Sequence, residues 1–312
     1  MDFDDEESQD VSTTCTADEI MKIGLKRVNY KRKRIKRARR KRNVRRFVGH
    51  FGVPPTVAAQ VWEDLQTTTT PEAFVEAANR NIDHFLMALH HLKKYPTELE
   101  REPIFDVDEQ LGRDWVWCFV EKIRALKAEK IVWPDFGNLT WVISVDGTDC
   151  WFHEPKHQEW SQDRKHFSHK FKKAGLRYEL GISLSDGKLV WMNGPFKAGR
   201  SDKKIFKKDG LKAKLKAAKQ RGIADGGYTG HPELSTPNPD DSKMVRVFKS
   251  RALKRHEAFN GMTKRFECLS VRFRHSVARF ADCFEAVCVL CQYMVENEEP
   301  LFDILVGNLF NN

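Results

Sequence analysis

The sequence predicts a mixed α/β layer domain behind a small all-helical one, and three features carry that prediction. Residues 53–130 repeat apolar side chains at three- and four-residue steps, the period of helices buried on one side. From Leu139 the texture changes to short β-branched runs divided by Gly, Asp and Pro. Two long helical patterns then close the chain, and strands mixed with helices pack as layers. At 312 residues there is room for two domains, and 40% hydrophobic with 31% charged residues describes a packed globular chain.

The elements are expected in this order. Residues 1–20 are acidic and Ser/Thr-rich and too poor in large apolar side chains to fold alone, so 1–30 is expected to be a disordered acidic tail. Residues 31–50 form a basic arm, with Lys31, Arg32, Lys33, Arg34, Lys36, Arg37, Arg39, Arg40, Lys41 and Arg42 in a run without an acid. Such a block repels itself until a polyanion or receptor neutralises it, so it reads as a nuclear-import signal or a phosphate-binding arm. A helical domain over 51–135 follows. VPPTVAAQVWEDL starts a helix behind Pro54 and Pro55, and IDHFLMALHHLKKYP stops at Pro96. DVDEQLG and RDWVWCFVEKIRALKAEKIVW read as a short helix, a break at Gly112 and a longer helix, the layout of a helix-turn-helix reader. His90 and His91 are expected on a helix surface, with no ligand partner at metal spacing.

Over 136–306, LTWVISV, YELGISL, KLVWMNG, RGIAD and MVRVF are strand candidates. SDKKIFKKDGLKAKLKAAK, ALKRHEAFNGMTKRFECLSVRF and VARFADCFEAVCVLCQYMVENE are helix candidates. Cys288 and Cys291 are spaced CxxC with Cys283 nearby, but in an apolar run without a second ligand pair they read as core thiols. Seven scattered cysteines fit a reducing compartment. The N-terminus lacks an export signal and no apolar run reaches membrane-spanning length, so neither secretion nor a membrane is expected.

The charge balance points to a partner. With 54 Lys plus Arg against 44 Asp plus Glu, a net charge of +10 and a pI near 9.2, the surface field favours nucleic acid. Asp146 ends the apolar run TWVISV and precedes Gly147, and Asp225 ends RGIAD and precedes two glycines. Both are expected at strand ends, where α/β sites collect. Each alone also fits a turn cap. Paired carboxylates suit a hard divalent cation, which phosphodiester chemistry uses to activate the attacking oxygen and stabilise the leaving one. Glu257 is the candidate third acid, with Asp149, Glu154, Asp202 and Glu267 as rivals, and Lys254, Arg255, Lys264 and Arg265 are placed to meet phosphate. Phe259, Met262, Phe266 and Leu269 form an apolar stripe opposite Glu257. Either Asn260-Gly261 re-aims the helix, or the stripe packs on the last helix while Glu257 reaches the strand ends.

The succession VDGTD, GPFKAGRSDKKIF, IADGGYTGHPEL and RHEAFNGMTKRFECLSVRFRH resembles the DDE endonuclease domain of Harbinger/IS5-type transposases over roughly residues 139–305. The resemblance implies an RNase H-like fold, Mg²⁺ or Mn²⁺ as cofactor, and catalytic, metal-holding acids at Asp146, Asp225 and Glu257. Asp202 would be a positioning residue. The upstream helices resemble the DNA-binding region that precedes such domains. The implied activity is cutting DNA and joining the freed 3′-hydroxyl to target DNA, in the nucleus, with a separate DNA-binding protein and self-association as possible partners. The alternatives are a domesticated nuclease that no longer transposes and a non-catalytic DNA-binding protein.

Overall fold

The computed structural model describes residues 15–29, 40–68, 82–151, 167–168, 173–208 and 210–304. The expected disorder of 1–14, the arm residues Lys31 to Arg39 and the rival acid Glu154 lie outside the described residues.

Chain order begins with a helix where a disordered tail was expected. In α1 (Ala17–Arg27) the Thr16 hydroxyl accepts the Glu19 N–H at 3.3 Å and the Glu19 carboxylate accepts the Thr16 N–H at 2.8 Å. This capping box satisfies free backbone donors, and Ile20, Met21 and Leu25 bury themselves on one side. Composition missed it because the helix is held by tertiary packing rather than by its own apolar content. Arg40, Lys41 and Arg42 open α2 (Arg40–Phe51) as exposed side chains, while Phe47 and Phe51 point into the core.

Next come α3 (Pro55–Thr68) and α4 (Ile82–Lys94). Every residue from Phe85 to Leu92 is buried, because α4 is covered by α1, by α2 and by later helices. His90 and His91 are therefore core residues, not surface ones. Burial holds His90 down at about 3 and His91 well below the ordinary imidazole range, so both are neutral. After α5 (Glu98–Phe105) the chain turns at Asp106 in the left-handed region (φ 55°) and re-enters α6 (Glu109–Ala125) behind the Asp108 cap. Gly112 does not break two helices: it lies inside α6, whose cap sits upstream of it. A short α7 (Lys127–Lys130) follows.

The sheet has six strands: β1 (Trp141–Trp151), β2 (Phe167–Ser168), β3 (Lys173–Ser183), β4 (Leu189–Lys197), β5 (Arg221–Ala224) and β6 (Leu234–Ser235). Their order is β2-β3-β1-β5-β6, with β4 also on β3. β1, β3 and β4 pair antiparallel, whereas β5 and β6 run parallel to β1. Between β4 and β5 the expected single helix is two, α8 (Asp202–Lys208) and α9 (Leu211–Ala217), separated by Gly210 at φ 102°.

MVRVF is not a strand. It begins α10 (Lys243–Thr263), capped by the Ser242 hydroxyl, and buries Phe248, Ala252, His256 and Phe259 at helical steps. Its β-branched residues are overruled by the period of the residues that follow. The helix expected to run on through 273 stops at Thr263, and a short α11 (Glu267–Ser270) precedes α12 (Val277–Asn297).

α12 joins the two halves. Its Phe284 ring stacks on Tyr178 of β3 at 4.0 Å between centroids, while Glu285 accepts from Arg124 of α6 at 3.1 Å and Lys127 of α7 at 2.6 Å. One apolar core thus runs from α1 through α12 to one face of the sheet. Cys283, Cys288 and Cys291 are buried in it with free thiols. The opposite sheet face packs on α8 and α9 through Phe206, Leu211 and Leu215. Among the described residues no helix is long and apolar enough to cross a membrane.

Candidate active site

Strand register brings the first two acids together. Val145 of β1 pairs with Ala224 of β5, the last residue of that short parallel strand. The next residues on each side are Asp146 and Asp225, so they emerge one strand spacing apart, about 4.8 Å in the sheet direction. One expectation is corrected: Asp146 does not end its strand. β1 continues to Trp151 against β3, with Asp146 opposite Leu180. It is β5 that ends, and its early stop opens space beside the middle of β1. The Asp146 Oδ1 accepts the Gly147 N–H at 2.8 Å. The Asp225 Oδ1 accepts the Gly227 N–H at 2.8 Å, capping a single 3-10 turn over Gly226–Tyr228.

Side chains alternate along β1, so Ser144, Asp146 and Thr148 face α10. Ser144 Oγ lies 3.1 Å from His256 Nδ1, and Asn260 Nδ2 donates to Asp146 Oδ2 at 3.4 Å. Burial holds His256 down at about 3, so this contact is made by a neutral ring. α10 runs unbroken through Asn260-Gly261. Phe259, Met262, Phe266 and Leu269 are buried in the core shared with α12. Glu257, Asn260, Gly261 and Lys264, at helical spacing on another side, line a pocket with Asp146, Asp225 and Asp202. The stripe thus packs inward while Glu257 is exposed at the pocket wall.

That pocket has a volume of about 710 Å³. On its other side Arg177 of β3 donates to Asp149 through Nε at 2.5 Å and Nη2 at 2.9 Å, and through Nη1 to Asp202 Oδ1 and the Arg200 carbonyl, each at 3.0 Å. Burial opposes the guanidinium charge, but Asp149 and Asp202 outweigh it and hold Arg177 raised. Asp202 is also raised, first by burial and then by the charges of Asp225 and Asp149, against the pull of Arg177. Beneath them the buried Tyr228 hydroxyl is pushed well above its ordinary value by burial and by Glu179, Asp202, Asp146 and Asp225. Negative charge therefore converges here in excess of its fixed counter-ions.

The other named residues separate. Lys264 lines the pocket. Arg255 does not meet solvent: it is 1% exposed and donates to the Ser183 carbonyl at 2.5 Å, since its helical position faces the sheet. Lys254 is exposed and outside the pocket lining. Arg265 pairs with Glu299 at 2.8 Å, and Glu267 pairs with Lys94 at 3.1 Å, away from the other acids. Asp149 is committed to Arg177. Sequence reading passed over Arg177 and the role of Asn260, and neither carries a local signal, because their partners are distant in the chain.

The donor set fits a hard divalent cation: carboxylate oxygens from separate elements, with the buried Asn260 Oδ1 left without a hydrogen-bond partner beside Asp146. As the side chains stand, no three His, Cys, Asp or Glu among the described residues are close enough to hold an ion, so a bound cation has to draw the carboxylates inward.

Searches of curated proteins and of solved structures return no match to the chain. A family described as DDE superfamily endonuclease matches residues 145–292, the span that holds Asp146, Asp202, Asp225 and Glu257. Over that span, with its acids gathered on one pocket of a mixed sheet, the chain belongs to the DDE superfamily endonucleases.

Proposed function

We propose that this protein is a divalent-metal-dependent DNA endonuclease of the transposase type, with Asp146, Asp225 and Glu257 as its metal-holding acids. The observation that carries it is that these three, distant in sequence, line one pocket inside the matched endonuclease span. An antiparallel β4-β3-β1 unit extended by parallel β5 and β6 supports an RNase H-like reading of the fold. Mg²⁺ or Mn²⁺, when bound, supplies Lewis acidity at the phosphate and lowers the pKa of the attacking water.

The chain's own residues do the rest. Asn260 steadies Asp146, Gly227 orients Asp225, and Lys264 and Lys203 at the pocket walls meet phosphates flanking the cut. The DNA grip is assigned to the basic arm and to Arg40, Lys41 and Arg42 of α2. α6 is a poor recognition helix for a polyanion, because Glu109, Asp114 and Glu121 stand on its exposed side. The same reading assigns the joining of 3′-hydroxyl ends to this pocket and nuclear import to the basic run.

Asp146→Ala and Asp225→Asn are the test, on supercoiled and linear DNA with Mg²⁺ or Mn²⁺. Both variants should lose cleavage while binding DNA as tightly as wild type at matched salt. A wild-type protein that cuts no DNA with either metal overturns the proposal.

A further inference from the structure

Asp202 enters the pocket from α8, on the far side of the sheet from Glu257, and its two oxygens are treated differently. Oδ1 is tied to Arg177 at 3.0 Å. Arg177 cannot drift, because Asp149 holds it by two bonds and the Arg200 carbonyl by a third. Oδ1 lies so close over Gly147 that a Cβ there would stand 2.4 Å from it. Oδ2 takes no hydrogen bond or ion pair among the described residues. It points over Gly227, 3.7 Å from where a Cβ would sit, and Asp225 Oδ1 lies 2.8 Å from the same point. Two carboxylate oxygens from different elements thus face one another across bare backbone.

The local charge explains what the arrangement is for. Arg177 is already answered by Asp149, so its single charge does not also neutralise Asp202. A fold that pins a carboxylate beside Asp225, with Asp146 one strand away, works against like-charge repulsion unless a cation joins them. A residue that only steadied its neighbours would spend both oxygens on protein donors, whereas Asp202 keeps one free.

We propose that Asp202 is a direct oxygen donor to the divalent cation, shared with Asp225 and Asp146, and that Arg177 and Gly147 hold it in that position. The inference rests on the metal-dependent reading above. It changes the role expected for Asp202 from support to ligand and gives the pocket four acids rather than three.

Metal binding by the full-length protein tests it without any cleavage assay. Free Mn²⁺ is followed by its electron paramagnetic resonance signal in titrations of wild type, Asp202→Asn, Asp202→Ala and Asp146→Asn. The metal-free unfolding temperature is measured alongside. Asp202→Asn keeps the size of the side chain and an acceptor for Arg177 but removes the charge. Both Asp202 variants should weaken Mn²⁺ binding at least tenfold, as Asp146→Asn does. They should also lose most of the Mn²⁺-induced rise in unfolding temperature, while their metal-free unfolding temperatures stay at or above that of wild type. If Asp146→Asn loses Mn²⁺ and both Asp202 variants bind it like wild type, Asp202 is no ligand and the three-acid reading stands alone. If wild type takes up no Mn²⁺, the metal-dependent reading falls and takes this inference with it.

Discussion

Gly147→Ala is the smallest change that reaches the heart of the pocket. The added methyl would lie 2.4 Å from Asp202 Oδ1, 3.3 Å from its Cγ and 3.6 Å from Arg177 Cδ. Ordinary contact begins near 3.4 Å, so the carboxylate must retreat by about 1 Å. It cannot do so freely, because Oδ1 is bonded to Arg177, which Asp149 holds in turn. A displacement of that size at a reacting centre costs about 100-fold in rate. The fold should suffer little: overpacking costs about 1–3 kcal/mol, and replacing a strand glycine returns about 0.5–1 kcal/mol. The assay is single-turnover cleavage of a labelled DNA duplex with Mn²⁺, beside urea unfolding of the same variant. The expected result is a rate about 100-fold lower with stability within about 2 kcal/mol of wild type. A variant that cuts at the wild-type rate would refute the reasoning, since Asp202 could then move without consequence.

Other expectations follow from the same contacts. Arg177→Ala leaves Asp149, whose side chain is 5% exposed, without its counter-ion, and should cost about 3–5 kcal/mol in urea unfolding. Adding Asp149→Ala should recover part of that loss, and a strictly additive double variant would show that the pair is not coupled. Phe284→Ala should cost about 3–5 kcal/mol, because it empties the stack on Tyr178 that ties α12 to the sheet. Since one core spans helices and sheet, wild type should melt in a single calorimetric transition, whereas two separated transitions would show independent halves. His90 and His256 are held down at about 3 against an ordinary value of 6.5, so the unfolded chain binds more protons between those values. Their contribution is full above about pH 6.5 and lost as pH falls toward 3, at about 1.4 kcal/mol per pH unit for each ring. Unfolding free energies that stay flat from pH 7 to 4 would contradict this.

Local physics made a good part of the molecule readable. The apolar run before Asp146 and the glycines after Asp225 marked a strand and a turn, and both were found. The closing helix was legible because α12 is apolar almost all round, which also placed its cysteines in the core. Misreadings share one cause: a residue's neighbours in space were not its neighbours in the chain. His90 and His91 are buried because α1, α2 and α6 cover α4. Arg255 and Lys254 are adjacent, yet one faces the sheet and the other water. MVRVF had the side chains of a strand, but its place was decided by the buried face of the helix it begins.

The acids divide along the same line. Sequence by itself determined that carboxylates fit for a hard cation stand after apolar strands and on a late helix of a basic chain, because residue type, period and turn chemistry are local properties. Tertiary structure alone decided that β5 stops one residue short of Asp225 beside an uninterrupted β1, that burial of Phe259 and Met262 leaves Glu257 on the pocket wall, and that Arg177 turns Asp202 inward. Register, helix rotation and ion pairing across distant segments are set by the packing of the whole core, and no short stretch of chain contains them.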